Sequence, residues 1–281
     1  MKTKEEIKKS VRQAYSKVAI HGGYTKATLA TSSCCGSSQT ETDNKNMSCG
    51  CGGKEVDANQ MSTFLGYSKE DLKNAPEGSN LGLGCGNPKA IASIKNGETI
   101  VDLGSGGGFD SFLAARETGS KGLVIGVDMT PEMVARAREN KTKTKVENVD
   151  FRLGEIEHLP VEDNLADLII SNCVINLSPE KSQVYKDAFR VLKPGGRLAI
   201  SDIVALKELP EIIKQDLSMV SACIGGAATI EDTKLMLKKA GFIDISITPK
   251  EFSQELIEEW LPGSQVGEYV VSAYIEAKKP I

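Results

Sequence analysis

The strongest constraint on the fold is a short apolar run that ends in glycines, at residues 99–108 (TIVDLGSGGG). An apolar run of this length, bounded by glycines, predicts a buried strand. The glycines predict a sharp turn that brings the backbone close to a ligand, before a helix that begins near Asp110. About twenty residues later a second predicted strand, 123–127, ends in Asp128, where a carboxylate can accept hydrogen bonds from ribose hydroxyls. Together the two features predict the cofactor-binding half of an α/β domain.

The spacing of the glycines selects among cofactors, although glycines after a strand also serve NAD and FAD. A tight turn without any ligand would give the same pattern. Phe109 stands where the dinucleotide pattern has its third glycine, so the motif is not one that seats a pyrophosphate. Asp102 favours a cofactor with a free amino acid over one with phosphates. We therefore predict S-adenosylmethionine, bound by Asp102, Gly104, Ser105, Gly106, Asp128 and Met129.

Length, charge and cysteine usage limit the class of protein. A chain of 281 residues with 40% hydrophobic content favours one α/β domain with appendages over two small domains. The net charge of -4, with both signs mixed, argues against nucleic acid or an anionic membrane as partner. No apolar run approaches the roughly 20 residues of a membrane span, and the N-terminus is charged where a signal peptide is apolar. We therefore expect a cytoplasmic protein whose seven cysteines are mostly reduced.

The N-terminal part, residues 1–80, is predicted to be a helix and loop extension of a domain at 81–281. Apolar residues at helical spacing predict an amphipathic helix over 4–19 that docks on the rest. Residues 21–59, rich in polar residues and glycine, predict a mobile loop that contains Cys34, Cys35, Cys49 and Cys51. A capping box at 68–71 predicts a helix ending near residue 76, and Asn87-Pro88 predicts a helix through residue 94.

From residue 99 the chain alternates strands and helices, which predicts a parallel sheet covered on both faces. The predicted strands are 99–103, 123–127, 149–153, 165–170 and 196–203, with helices beginning near residues 110, 131, 179, 210 and 229. Strands at 243–249 and 269–277 are expected to pair, interrupted by a helical stretch at 252–261 with Trp260 in the core. The fold class is thus α/β: a Rossmann-like doubly wound, mostly parallel seven-stranded sheet with an antiparallel C-terminal strand pair. Such a sheet resembles the Rossmann-like methyltransferases.

In open α/β sheets, ligands bind outside the carboxyl ends of the strands. After the third predicted strand lies 154–160 (GEIEHLP). In the methyltransferases that this chain resembles, an acidic residue here meets the adenine amino group and the next backbone N–H meets the ring, which implies Glu155 and Ile156. After the fourth strand lies 171–177 (SNCVINL), which adds Asn172 to the predicted cofactor site. The turn before the fifth strand, 192–196 (LKPGG), is similar to the one that these enzymes share.

Three cysteines that are distant in sequence are predicted to meet beside the methyl donor. Cys173 directly follows the fourth strand, Cys223 lies at the end of the helix after the fifth strand, and Cys85 lies in the loop before the first strand. Each alone fits an ordinary small buried residue. Together they form a candidate cage for a soft ion, because thiolates select soft centres.

The cysteine-bearing blocks resemble those of the arsenite S-adenosylmethionine methyltransferases. The blocks are 83–88 (LGCGNP), 172–177 (NCVINL) and 221–227 (SACIGGA), and the resemblance runs from about residue 11 to about residue 241. It implies methyl transfer to trivalent arsenic, with Cys85, Cys173 and Cys223 as the arsenic-binding, catalytic thiolates. It also implies arsenite or its thiol conjugates as substrate, thioredoxin or a small-thiol reductant as partner, and a relay role for Cys34 and Cys35, with Cys49 and Cys51 in the same region.

Three other functions stay open at this point. A methyltransferase for a small organic acceptor such as a quinone would keep its activity in Cys85→Ser. A thiol-rich protein that sequesters arsenic or metals would bind arsenite without forming product. A nicotinamide oxidoreductase is the most distant alternative. The cysteines of the N-terminal loop could also hold zinc, as two cysteine pairs can.

Overall fold

The computed structural model describes residues 2–23, 57–250 and 266–281, and its centre is a seven-stranded sheet. The strands are β1 (Thr99–Leu103), β2 (Leu123–Asp128), β3 (Val149–Leu153), β4 (Ala166–Asn172), β5 (Leu192–Ala205), β6 (Ile243–Pro249) and β7 (Val270–Lys278). Their order is β3-β2-β1-β4-β5-β7-β6. The first five strands are parallel to one another, and β7 runs antiparallel to both β5 and β6. The predicted fold class is confirmed.

Helices cover both faces of this sheet. They are α1 (Lys4–His21), α2 (Ala58–Phe64), α3 (Lys69–Asn74), α4 (Lys89–Ala92), α5 (Phe109–Thr118), α6 (Pro131–Thr142), α7 (Lys181–Val191), α8 (Glu211–Gln215), α9 (Leu217–Ser221) and α10 (Ile230–Ala240). Short 3-10 helices lie at Ile175–Leu177 and Val266–Glu268. Among the described residues, no helix combines the length and the apolar character needed to cross a membrane.

Strand β1 is buried on both faces. Its successive side chains point to opposite sides of the sheet, and both sides are covered. Ile100 packs with Phe112 of α5 on one side of the sheet. Its neighbour Val101 packs with Val184 of α7 on the other side. Since β2 and β4 flank β1 and are parallel to it, the carboxyl ends of all three open on one edge. The strand order reverses at β1 and β4, which is where open α/β sheets bind ligands.

The N-terminal helix α1 is fixed at both ends and docks over this edge. Thr3 and Glu6 form a capping box, and Gly22 ends the helix in a left-handed conformation. The helix packs against α6 and α9, with Val11 fully buried. The expected docking of an amphipathic helix is therefore seen, while the domain division at residue 80 stays a prediction.

Several predicted boundaries are wrong for local reasons. His21 is the last residue of α1, and Ala58 and Asn59 belong to α2, so the predicted loop at 21–59 is too long at both ends. The rest of that loop, at 24–56, and the predicted helical stretch at 252–261 with Trp260 lie outside the described residues. Strand β5 is six residues longer than predicted. Four of them lie at its start, where Leu192 pairs with Ala166 of β4, and two at its end, where β7 pairs with it as far as Ala205.

Two predicted helices also differ from the structure. Helix α4 ends at Ala92 rather than residue 94, because Ser93 adopts a left-handed conformation with φ 47°. Pro88 occupies the position before this helix instead of its first turn. The helix predicted to begin near residue 210 is split in two at Asp216, whose side chain accepts from the backbone N–H of Ser218 and so caps α9.

Candidate active site

One cavity lies at the carboxyl edge of the sheet, below α1. It encloses about 1020 Å³, counting the mouth that is open to solvent. The glycine loop after β1 and Cys173, which follows β4, both belong to its lining. Helix α1 contributes Lys8, Val11 and Tyr15 as a roof. The predicted cofactor residues that line this cavity are Asp102, Gly104, Ser105, Gly106, Asp128, Met129, Ile156 and Asn172.

Backbone hydrogen bonds fix the glycine loop to strand β2. The N–H groups of Gly104 and Ser105 donate to the carbonyl of Val127 at 2.7 and 3.0 Å. Gly104 has φ +67°, and any Cβ at this position would collide with Val174. Asp128 accepts from the N–H of Gly106 at 3.0 Å through Oδ2, and from the N–H of Thr130 at 2.8 Å through Oδ1. The loop therefore has one conformation, and glycine is required at its first position.

Several buried carboxyl groups line the cavity. Burial raises the pKa of Asp102 well above its usual value, and the nearby charge of Asp110 raises it further. Burial also raises the pKa of Asp110, to about 6, although the hydrogen bond from Tyr67 works to lower it. Burial raises the pKa of Asp128 as well. Of the described residues that line the cavity, Lys8 is the one with a positive side chain. The cavity thus favours a cationic ligand, because an anion would add to the negative charge already there.

Lys8 pairs with two glutamates that follow β3. Its Nζ lies 2.8 Å from Glu155 Oε2 and 3.4 Å from Glu157 Oε1, and Arg12 also reaches Glu155. Glu157 is buried and accepts from Ser178 Oγ at 2.6 Å. Of these two acids, Glu157 lines the cavity and Glu155 does not. The sequence analysis therefore missed Glu157 and Lys8, and the adenine role of Glu155 stays a prediction.

Asn172, the last residue of β4, joins the acidic half of the cavity to the loop that carries Cys85. Its Oδ1 accepts from the N–H of Cys85 at 3.1 Å, and its Nδ2 donates to the carbonyl of Gly86 at 2.8 Å. The same Nδ2 donates to Tyr67 Oη at 3.0 Å, and Tyr67 in turn donates to Asp110 Oδ1 at 2.6 Å. One amide side chain therefore holds the Cys85 backbone against the end of β4.

The carbonyl of Cys85 is held by the C-terminal strand pair. Ser272 Oγ of β7 donates to it at 2.6 Å, and Lys250 Nζ approaches it at 3.3 Å. Because Asn172 binds the N–H side of the same residue, Cys85 is fixed from two strands. The antiparallel end of the sheet thus has a direct role in placing a predicted site residue.

The structure brings the three predicted thiols into one buried cluster. Cys85, Cys173 and Cys223 are all buried, and Cys223 Sγ donates to the carbonyl of Cys173 at 2.7 Å. Burial raises the pKa of Cys173 well above its usual value, and the Cys223 and Cys85 thiols beside it act in the same direction. Cys173 and Cys223 have φ values of 58° and 64°, which are unusual for residues other than glycine. Such strain is typical of functional sites.

Asp202 lies beside the thiol cluster and was not among the predicted residues. Its carboxylate oxygen and the Sγ atoms of Cys85 and Cys173 all lie within 4.8 Å of one another. The strand-end rule could have found it, because Asp202 lies near the carboxyl end of β5. The predicted relay cysteines Cys34 and Cys35, with Cys49 and Cys51, lie outside the described residues.

Comparison with known proteins decides the family. A family model described as a methyltransferase domain matches residues 94–241. The arsenite methyltransferase of Halobacterium salinarum is 48% identical over 98% of this chain and 67% of its own length. The chain belongs to the arsenite methyltransferase family. The predicted resemblance to this family is therefore confirmed.

Two further members of the arsenite methyltransferase family support this assignment. The arsenite methyltransferase of Aquipseudomonas alcaligenes is 36% identical over 78% of this chain and 64% of its own length. The chain thus spans about two thirds of the length of these two curated relatives. A crystal structure of an arsenic(III) S-adenosylmethionine methyltransferase from Chlamydomonas reinhardtii matches with a TM-score of 0.60 and 32% identity, over 79% of this chain and 74% of the other.

Asn172→Asp tests the central amide. The new carboxylate would face the Gly86 carbonyl and Asp110 in place of a donor. We expect a loss of at least about 1–3 kcal/mol in the free energy of unfolding near neutral pH. Because these neighbours raise the carboxyl pKa in the folded state, the loss grows as the pH rises and shrinks in acid. Urea unfolding at about pH 5 and about pH 8 measures both effects.

Asn164→Asp is the matched control. Asn164 is exposed, and its Oδ1 already accepts from Lys279 Nζ at 2.8 Å. A new charge there has a cationic partner and solvent, so we expect a change within about 0.5 kcal/mol. Equal effects of the two substitutions would contradict the role assigned to Asn172.

Proposed function

We propose that this protein transfers methyl groups from S-adenosylmethionine to trivalent arsenic held by Cys85, Cys173 and Cys223. The observation that carries the proposal is the continuity of one cavity, which runs from the acidic glycine loop to Cys173. A methyltransferase needs its two substrates in contact, and a single cavity with a cation-selective half and a thiol-bearing half supports that arrangement. The family to which the chain belongs gives the same answer.

The residues present fit S-adenosylmethionine. Asp102 and Asp110 would face its positively charged groups, Asp128 its ribose, and the loop at Gly104–Gly106 would approach it closely. The acids also argue against a nicotinamide dinucleotide, because its pyrophosphate would place negative charge beside carboxylates that already repel one another. When bound, the cofactor supplies an electrophilic methyl group on a positively charged sulfur.

The thiols prepare arsenic as the nucleophile. Arsenite carries three hydroxyl groups, and exchange with three thiols forms three As–S bonds and releases three waters. Each thiol proton leaves with a hydroxide, so no net charge enters the buried cluster. Arsenic in this state keeps a lone pair that can attack carbon. Activation therefore needs no general base, and holding the two reactants together supplies roughly 7–11 kcal/mol of the barrier.

The rest of the chain orients the reactants and excludes water. Asn172 and Ser272 fix the backbone of Cys85. The hydrogen bond from Cys223 Sγ to the carbonyl of Cys173 aligns these two residues. Helix α1 covers the cavity with Val11 and Tyr15. This cover keeps water from competing with the thiols for arsenic.

Methyl transfer raises the formal oxidation state of arsenic by two. Its return to the trivalent state takes two electrons, which two thiols provide when they form a disulfide. A thioredoxin or small-thiol reductant would then restore the thiols by exchange. We propose that Cys34 and Cys35 relay substrate or electrons in this step, and that the protein works in the reducing cytoplasm.

Replacement of single cysteines tests the proposal. The intact chain, given arsenite, S-adenosylmethionine and a thiol reductant, is expected to form methylated arsenic, which chromatography with arsenic detection measures. Cys173→Ser and Cys223→Ser should lose at least about a hundredfold in rate, since serine is a hard ligand that does not hold arsenic. Cys85→Ser should show whether the first methyl transfer requires the third thiolate.

Ser246→Ala, a change at an exposed position of β6, is the control and should keep full activity. Full activity of both Cys173→Ser and Cys223→Ser would instead send the search to organic acceptors. Arsenite binding without product from the intact chain would support a sequestering protein.

The affinity for S-adenosylmethionine should depend on pH. The pKa of Asp110 is raised to about 6, and a cation binds best to the ionised carboxylate. Affinity measured by calorimetry is therefore expected to fall by up to tenfold per unit as the pH drops below about 6, and to level off above it. Asp110→Asn should weaken binding and flatten this dependence.

Glu162→Gln, which removes an exposed carboxylate, serves as the control and should follow the intact chain. An affinity that is constant from about pH 5 to about pH 8 would contradict the electrostatic account of the cavity.

A further inference from the structure

Asp202 is buried at the carboxyl end of β5, and most of its carboxylate is satisfied. Its Oδ1 accepts from the N–H of Ile203 at 2.7 Å and from Asn176 Nδ2 at 3.0 Å. Its Oδ2 accepts from the N–H of Ile175 at 2.9 Å. A carboxylate has about four lone-pair positions, so one position on Oδ2 is left by these three bonds.

The thiols of Cys85 and Cys173 are the neighbours of this carboxylate. The two Sγ atoms and the Asp202 oxygen lie within 4.8 Å of one another, and all three residues are buried. Donors around a tetrahedral zinc ion, at bond lengths of about 2.0–2.3 Å, lie about 3.5–3.8 Å apart. The separations between donor atoms therefore need to shorten by at most about one ångström to close on such an ion.

We propose that Cys85, Cys173 and Asp202 form a binding site for a borderline-soft divalent cation of the Zn²⁺ or Cd²⁺ type. The fourth position faces the cavity, because Cys173 lies in the cavity wall. This opening is also the path by which the ion enters. The site goes beyond the proposed function and does not depend on it.

The hydrogen bonds to Asp202 give this site a pre-formed oxygen ligand. Asn176 donates to Asp202 and also to the carbonyl of Ile203 at 2.6 Å, so its amide is held on both sides. The two backbone donors lie on different elements, Ile175 at the start of a 3-10 helix and Ile203 on β5. Outer partners of this kind orient a ligating group and typically contribute about 10–100-fold to metal affinity.

The oxygen donor separates this site from the one proposed for arsenic. Trivalent arsenic bonds to three thiolates, Cys223 included, whereas Zn²⁺ accepts mixed sulfur and oxygen ligands. Cys223 is not one of the three residues whose donor atoms lie within 4.8 Å of one another. The two sites share Cys85 and Cys173, so a bound divalent cation and arsenite exclude one another.

Two variants with opposite expected preferences for Cd²⁺ and arsenite test the proposal. The full chain, with Cys34, Cys35, Cys49 and Cys51 replaced by serine and kept reduced by a phosphine, is titrated with Cd²⁺. Binding is followed by the ultraviolet absorption of the cadmium–thiolate bond, and arsenite binding is measured in parallel. Asp202→Asn should weaken Cd²⁺ binding at least tenfold more than arsenite binding, and Cys223→Ser should show the opposite preference.

The outcomes distinguish the two proposals. Equal Cd²⁺ affinity in Asp202→Asn and its parent would overturn the site. If the parent binds Cd²⁺ but does not bind arsenite, the proposed function is refuted and the metal site is not. If Asp202→Asn loses both ions, X-ray absorption of cadmium in the parent decides. Two sulfur ligands with oxygen in the remaining positions support the site, and a shell with three or more sulfur atoms contradicts it.

Discussion

The hydrogen bonds of Asn172 are the interaction on which the site depends. This amide ends β4, the strand that lies between the cofactor half and the C-terminal half of the sheet. On one side it joins Tyr67 and Asp110, and on the other it binds the backbone of Cys85 and Gly86. A segment that precedes the sheet in sequence is thereby fixed to the strand end that carries the next thiol. Asn172 therefore connects the sheet directly to the residues of the candidate site.

The ligand-free protein holds features that oppose its own stability. Asp102 and Asp110 repel one another in a region with little solvent. Cys173 and Cys223 adopt left-handed backbone conformations, each of which costs about 1–3 kcal/mol. The surrounding sheet offsets these costs, since β1 and β4 are almost fully buried. A cation beside the acids would relieve the repulsion, so ligand binding and stability should be coupled.

The sequence was sufficient for the sheet and for many of the residues that line the cavity. Glycines after an apolar run located the turn at Gly104, and the strand-end rule located Asp128, Asn172 and Cys173. Asp202 was not predicted, because it lies inside the predicted strand 196–203 rather than after it, and its approach to Cys85 and Cys173 is a contact between distant parts of the chain.

Other features could not be read from local patterns. Amphipathic spacing in α1 shows that one face is buried, but it does not name the partner. The pairing of Lys8 with Glu155 and Glu157 therefore came only from the structure. The hydrogen bond from Ser272 to the carbonyl of Cys85 joins residues that are 187 positions apart in sequence. Alternation of acids after β3 also gave no way to choose Glu157 over Glu155 as the one in the cavity wall.

A single-turnover experiment tests most directly whether one cavity holds both reactants. The intact chain is loaded with one equivalent of arsenite, mixed with excess S-adenosylmethionine without added reductant, and quenched over time. The account predicts that up to one methyl group per chain appears on arsenic that is still bound to the protein, followed by a halt. Binding of both ligands without any methylated arsenic would contradict it, because the thiol cluster and the acidic half would then not serve one reaction.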